Sequence, residues 1–194
     1  MNSFVEKKPD LPERPIIEQI EKIIGRKLEL AEEINFNNNS CTIKNNYIVE
    51  LRICDITLDN IDYNHLFRLL KELKQLTFLT LHNNQISDIT PLKRLKQLTG
   101  LGLNSNQISD ITPLQELKQL TYLDLYNNQI NDVTPLQKLK QLTLLDLSNN
   151  RIENPPLSLI NNFERISIED DFDGFGLNLS NNPLTDPSIE ILKQ

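Results

Sequence analysis

Two histidines, His65 and His82, and two cysteines, Cys41 and Cys54, are the side chains of this 194-residue chain best suited to nucleophilic or general-base chemistry. Cys54 and His82 fall in one outward-facing column of the strand pattern described below, on neighbouring strands, so a reactive Cys54/His82 pair is the one enzymatic reading available. The plainer expectation is two unrelated residues on successive strands. Two cysteines do not make a disulfide framework; reduced thiols are expected, with a single Cys41–Cys54 bridge as the alternative. The acidic stretch "EDDFDG" from Glu169 lacks the D-x-D-x-D-G run and the distal Glu of a calcium loop, so it reads as a solvated loop. "DGFG" stands without any other kinase element. With only 5 glycines and no G-x-x-x-x-G-K-[ST], a phosphate-cradling loop is excluded. The expectation is a non-catalytic protein with no cofactor and no metal.

A formal charge of −7 and a pI near 4.9 argue against a nucleic-acid partner, whose phosphates need clustered Lys and Arg. No run approaches the roughly 20 apolar residues of a membrane span. The start, "MNSFVEKKPDLPERP", has no apolar core of the kind a secretory leader requires, so a cytoplasmic location is expected. Lys93, Arg94, Lys96, Lys118, Lys138 and Lys140 alternate with Leu and Gln and are read as a solvated face.

Whatever such residues do depends on what positions them, and here the sequence repeats itself. "LTFLTLHNNQISDITPLKRLKQ" recurs with few changes, and Leu79, Leu101, Leu123 and Leu145 follow one another at intervals of 22 residues. Leu79 and Leu81 alternate with Phe78, Thr80 and His82, the period of a strand with one buried face. One such unit cannot bury its own apolar side, so the units must stack, strand beside parallel strand. Asn84, Asn106, Asn128 and Asn150 occupy one position in each copy, where an inward-turned amide can bond the backbone of adjacent coils. Asp88 and Asp110 suit a turn or cap, Pro91 and Pro113 the start of a short helical turn, and Leu92, Leu95 and Leu98 the inner side of the far face.

A period of this length written L-x-x-L-x-L-x-x-N signals leucine-rich repeats. The central copies resemble the internalin kind. "KLELAEEINFNN" with "CTIKNNYIVELRI", and "GFGLNLSNNPLTDPSIEILKQ" at the other end, resemble the segments that flank the leucine-rich repeats of bacterial Roco proteins. That resemblance implies an α/β fold, a curved solenoid with a parallel β-sheet on its concave face, and a regulatory protein–protein interaction region attached to a GTPase domain of the same polypeptide. A stand-alone bacterial adaptor and an internalin-like surface adhesin are the alternatives.

One structural domain is expected, in three parts. Residues 1–47 would form an N-terminal cap of one Ile-rich helix and a β-hairpin, residues 48–175 the repeats, and residues 176–194 a C-terminal capping segment. The first coil has Ile56 where the others have Asn. At the far end, Ile166 and Ile168 are expected to follow Leu145 and Leu147 as the next strand, with Leu177 and Leu179 lying beside them.

The letters that vary line the outward side of the strands in three columns. They read Glu50, Phe78, Gly100, Tyr122, Leu144, Arg165; then Arg52, Thr80, Gly102, Asp124, Asp146, Ser167; then Cys54, His82, Asn104, Tyr126, Ser148, Glu169. The candidate partner-binding surface on the concave face comprises Phe78, His82, Gly100, Gly102, Tyr122, Asp124, Tyr126, Leu144 and Asp146. Aromatics on a solvated strand are the usual anchors of protein interfaces. Gly100 and Gly102 are expected to leave a notch between Phe78/His82 and Tyr122/Tyr126.

Overall fold

The computed structural model describes residues 11–31, 39–56, 61–169 and 173–185. The centre of the acidic insert (170–172) and the end of the expected C-terminal capping segment (186–194) lie outside these.

The L-x-L letters do what their period demands. The strands β4 (Phe78–Thr80), β5 (Gly100–Gly102), β6 (Tyr122–Asp124) and β7 (Leu144–Asp146) pair in parallel, with Leu79, Leu101, Leu123 and Leu145 in register and fully buried. After each strand the chain turns through a left-handed residue, Asn83, Ser105, Asn127 or Asn149, with φ of 51–55°, a conformation Asn adopts more cheaply than other side chains. The next residue is the buried Asn. The Nδ2 of Asn106 donates to the carbonyls of Leu81 (2.9 Å) and Leu103 (3.0 Å), and its Oδ1 accepts from Ile86 N (3.0 Å). One amide thus ties the backbones of two adjacent coils together. Asn84, Asn128 and Asn150 repeat the arrangement. The return path runs through 3-10 turns at Thr90–Arg94, Thr112–Glu116 and Thr134–Lys138, each with Pro near its start. Each is fastened by an Asp: Asp88, Asp110 and Asp132 accept from the N–H two residues on at 2.8 Å.

At the N-terminal end, α1 (Arg14–Ile24) buries Ile17, Ile20 and Ile24 and stops at Gly25, whose φ is 69°. β1 (Glu29–Ala31) pairs with β2 (Ser40–Lys44), which forms a hairpin with β3 (Tyr47–Arg52) through Asn45 and Asn46, both left-handed. β3 then joins β4 in parallel, so hairpin and repeats share one sheet. The buried Glu13 carboxylate accepts from Ile48 N at 2.6 Å, docking the helix start on β3. The missing Asn at Ile56 is made good from elsewhere: Asn39 exchanges two 3.1 Å hydrogen bonds with the backbone of Cys54, and Ile56 N donates to Asn84 Oδ1. The far side of this coil carries α2 (Tyr63–Leu70), capped by Asp62.

The C-terminal order differs from expectation. After α3 (Leu157–Ile160), the strand β8 (Ile166–Ser167) lies at the sheet's edge, and β9 (Gly176–Asn178) inserts between β7 and β8. Leu177 stands in register with Leu145, and Leu177 and Leu179 are fully buried, while Ile166 and Ile168 are only half-buried. Asn182 supplies the next inward amide, donating to Leu147 O at 2.9 Å and accepting from Ile152 N at 3.0 Å. The segment expected to begin a separate cap at residue 176 therefore opens with a full rung of the ladder. Residues 161–175 form the insertion. Among the described residues the buried apolar side chains from Leu11 to Leu179 form one continuous core.

Candidate protein-binding face

The outward side of this sheet collects the variable residues in rows fixed by strand register. One row runs Glu50, Phe78, Gly100, Tyr122, Leu144 and the next Arg52, Thr80, Gly102, Asp124, Asp146. Both rows continue to Gly176 and Asn178, where Arg165 and Ser167 were expected. In the third row His82, Asn104, Tyr126 and Ser148 lead to Ser180 rather than Glu169, since Asn149 N donates to Ser180 O.

The expected notch at Gly100 is absent. A Cβ placed on Gly100 would lie 2.2 Å from Cδ2 of Phe78, so the Phe78 ring covers the glycine strand. The ring crosses it to meet Tyr122, with ring centroids 5.7 Å apart and planes tilted by 36°. On its other side the Arg52 guanidinium carbon lies 5.2 Å from the Phe78 centroid, a cation–π distance. Gly102 is likewise tight, with Thr80 side-chain atoms 3.2 Å from the place of a Cβ. The glycines let neighbours lean across them, and the result is a ridge of Arg52, Phe78 and Tyr122. Phe78, Tyr122 and Leu144 are half-buried, while Tyr126 is 38% exposed.

Beyond the ridge the face becomes acidic. Asp124 and Asp146 stand in register on β6 and β7. Each caps its own turn: Asp124 Oδ1 accepts from Tyr126 N at 3.0 Å, and Asp146 Oδ1 accepts from the Ser148 N–H at 2.9 Å and its hydroxyl at 2.5 Å. Burial, with Asp146 adding repulsion, pushes the Asp124 carboxyl up to about 6. The Tyr122 phenol is pushed up to about 12, again by burial first and then by the two aspartates. Together with Tyr126, Ser148, Asn178 and Ser180 the pair lines an open hollow of about 450 Å³. A larger hollow, about 610 Å³, lies on the opposite side among Lys93, Arg94, Lys96, Asp110 and Glu116.

Cys54 and His82 are not unrelated: Cys54 Sγ lies 3.2 Å from His82 Nδ1. Cys54 stands in the third row beside His82 but is fully buried, and burial pushes its thiol up to about 11, so the sulfur stays protonated and is a poor nucleophile. Cys41 is also buried, and both thiols are free. Among the described residues no three His, Cys, Asp or Glu side chains gather as a metal would require, and no helix is long and apolar enough to cross a membrane.

Residues 74–116, 96–140 and 118–161 match the family described as Leucine Rich repeats (2 copies). No curated protein matches the chain. Among solved structures, an internalin (InlF) from Listeria monocytogenes is 33% identical with a TM-score of 0.54, over 64% of this chain and 34% of that one. This chain therefore spans about a third of that internalin's length. Internalin C2 from the same organism is 26% identical with a TM-score of 0.52, covering 90% of this chain and 87% of its own. The leucine-rich-repeat ectodomain of the receptor kinase SOBIR1 from Arabidopsis thaliana shares the fold at 20% identity, with a TM-score of 0.59, over 89% of this chain and 94% of that one. Strand register, Asn ladder, matched repeats and structural neighbours agree: the chain folds as a leucine-rich-repeat solenoid, a fold whose typical work is holding protein partners rather than catalysis.

Proposed function

We propose that the chain is a non-catalytic scaffold that binds a protein partner through the outward face of its sheet. The observation that carries this reading is the ridge of Phe78 and Tyr122, with Tyr126 in the third row. Core packing does not need these rings, and the same columns hold Glu, Gly, Asn and Ser in other coils. Half-buried aromatics held by their neighbours lose little side-chain freedom when a partner covers them, which is what makes such residues interface anchors.

Within that reading the first choice of context is the regulatory region of a Roco-type protein inside the cell, its partner the GTPase domain of the same polypeptide. The flanking sequences "KLELAEEINFNN" and "GFGLNLSNNPLTDPSIEILKQ" favour it. An internalin-like surface protein is the second reading, favoured by the likeness to two Listeria internalins.

A photo-crosslinking phenylalanine analogue placed at Tyr126 or at Lys138 tests the surface. Position 126 should capture the partner and position 138 on the far side should not. Truncating Tyr122 to Ala should then weaken the captured partner by about 2 kcal/mol or more. Capture from position 138 alone, with Tyr122→Ala binding normally, would place the interface on the Lys-bearing side. Whether the captured partner is a GTPase domain or an unrelated protein separates the two contexts.

A further inference from the structure

Asp124 and Asp146 are adjacent in register on parallel strands, an arrangement in which like charges repel. The fold does not require them: the same column carries Arg52, Thr80, Gly102 and Asn178. Among the described residues no ion pair involves either carboxylate. Their Oδ1 atoms fasten the turns, and Oδ2 of each accepts no hydrogen bond from the described residues. On the other flank of Asp124 the strand partner is Gly102, which has no side chain to cover it. The Tyr122 ring lies in the adjacent row of the same strand, and the hollow opens on the other side of the aspartates, toward Tyr126 and Ser148.

The same face already holds one complete version of such a site. Arg52 lies over the Phe78 ring at 5.2 Å and reaches Glu50 at 4.0 Å, an aromatic face and a carboxylate sharing one guanidinium. Tyr122 with Asp124 and Asp146 presents the same groups two strands further on.

Resting on the protein-binding reading above, we propose that the partner contributes an arginine to this face, its guanidinium lying over the Tyr122 ring and hydrogen-bonded to the Asp124 and Asp146 carboxylates. Arginine fits better than lysine because its planar fork meets two carboxylates and its face stacks on a ring, whereas an ammonium is a strongly hydrated point charge. A cation there also favours the charged form of Asp124, which burial and then Asp146 disfavour; the charged neighbours of Asp124 on this face are Asp146 and, beyond Tyr122, Arg52.

The test uses peptides selected from a random display library on the intact chain, then resynthesised with each Arg changed to Lys or to citrulline, which is isosteric and uncharged. Selected peptides should be enriched in Arg, and citrulline should weaken binding about tenfold, roughly the effect of one charge-assisted hydrogen-bonded pair. Lys should fall between. In Asp124→Asn/Asp146→Asn the Arg peptide should bind as weakly as the citrulline peptide does to the parent, and the citrulline penalty should vanish. Asn keeps the Oδ1 acceptor for each turn, and a cooperative thermal melt at or above the parent's midpoint confirms that the double variant is folded. Peptides that lack Arg but are lost with Tyr122→Ala overturn the arginine site and leave the binding face standing. A citrulline penalty undiminished in the double Asn variant also overturns it, because the arginine then binds elsewhere. Peptides indifferent to Tyr122→Ala and to both Asp changes overturn the face and the arginine together.

Discussion

Asn128 bonds carbonyls of its own coil and the one before it, and accepts Ile108 N at 3.0 Å, all in the buried interior. Alanine leaves these peptide groups without water or partner, so Asn128→Ala should cost about 1–3 kcal/mol, read as a lower urea midpoint at unchanged slope. Asp124 acts in the opposite sense. Its ordinary value of 3.8 rises to about 6 in the fold. Between those values the folded state binds more protons than the unfolded one, so this group makes stability fall as pH rises through the window. Above pH 6 the penalty is complete, and Asp124→Asn should stabilise the protein there by about 1 kcal/mol, allowing for partial exposure. Below pH 4 the gain should disappear. Melts of parent and variant from pH 4 to pH 8 check the sign. The positions of these residues were legible because the repeat assigns each letter to a face. What the letters did not carry is how far a side chain reaches. Gly100 and Gly102 read as a bare strand, a notch between Phe78/His82 and Tyr122/Tyr126. The contact of Phe78 with Gly100 depends on the ring's rotamer, and an aromatic beside a Cβ-less neighbour covers apolar backbone by lying across it.

At the scale of elements, the repeats were readable and the irregular end was not. Ile166-x-Ile168 looked like the next strand because it came next in sequence. The ladder instead recruits Leu177-x-Leu179, since only that pair has an Asn three residues on to bond the preceding turn; after Ile168 that position is Asp171. Requiring the full L-x-L-x-x-N would have found it. The insertion is held through Gly176, which has a φ of 87° and would carry a Cβ 2.2 Å from the Arg165 carbonyl oxygen. Gly176→Ala faces both backbone strain and a backbone clash and should cost about 1–3 kcal/mol. Gly100→Ala meets only the Phe78 ring, which can swing aside, and should cost less while opening the ridge. Equilibrium unfolding of both variants tests the ranking. At the opposite end α1 covers the open side of the first coil with Ile17, Ile20 and Ile24. Deleting residues 1–30 exposes that core, and the truncated chain should melt lower or self-associate. A truncated chain as stable and monomeric as the parent would mean that α1 is not a cap.

The whole molecule has two unlike sides. Aromatic and acidic groups share the sheet face, while Lys93, Arg94, Lys96, Lys118, Lys138 and Lys140 are exposed on the return side. Several of these cations are occupied locally: Lys96 pairs with Glu116 at 3.5 Å, Lys138 donates to Gln115 at 2.6 Å, and Lys140 to Asn162 at 3.1 Å. Exposed pairs of this kind contribute little, so Lys138→Ala should leave both stability and partner binding nearly unchanged. What makes the sheet face a rigid support is the stacking, because each coil is buttressed only by its neighbours. Opening β6 breaks two strand interfaces and two sets of Asn bonds, whereas opening β8 breaks one. Amide hydrogen exchange should therefore be slowest at Leu101, Leu123 and Leu145 and fastest toward β8, with α1 intermediate because it is tied down by Glu13. A partner seated on the central strands should slow exchange at these three by its full binding free energy, because they open only with the whole fold and the partner is lost when they do. Uniform protection along the chain would mean a single cooperative unit instead of a stack. Fast exchange at Leu123 in the free protein would mean that the face is ordered by its partner and not presented to it ready-made.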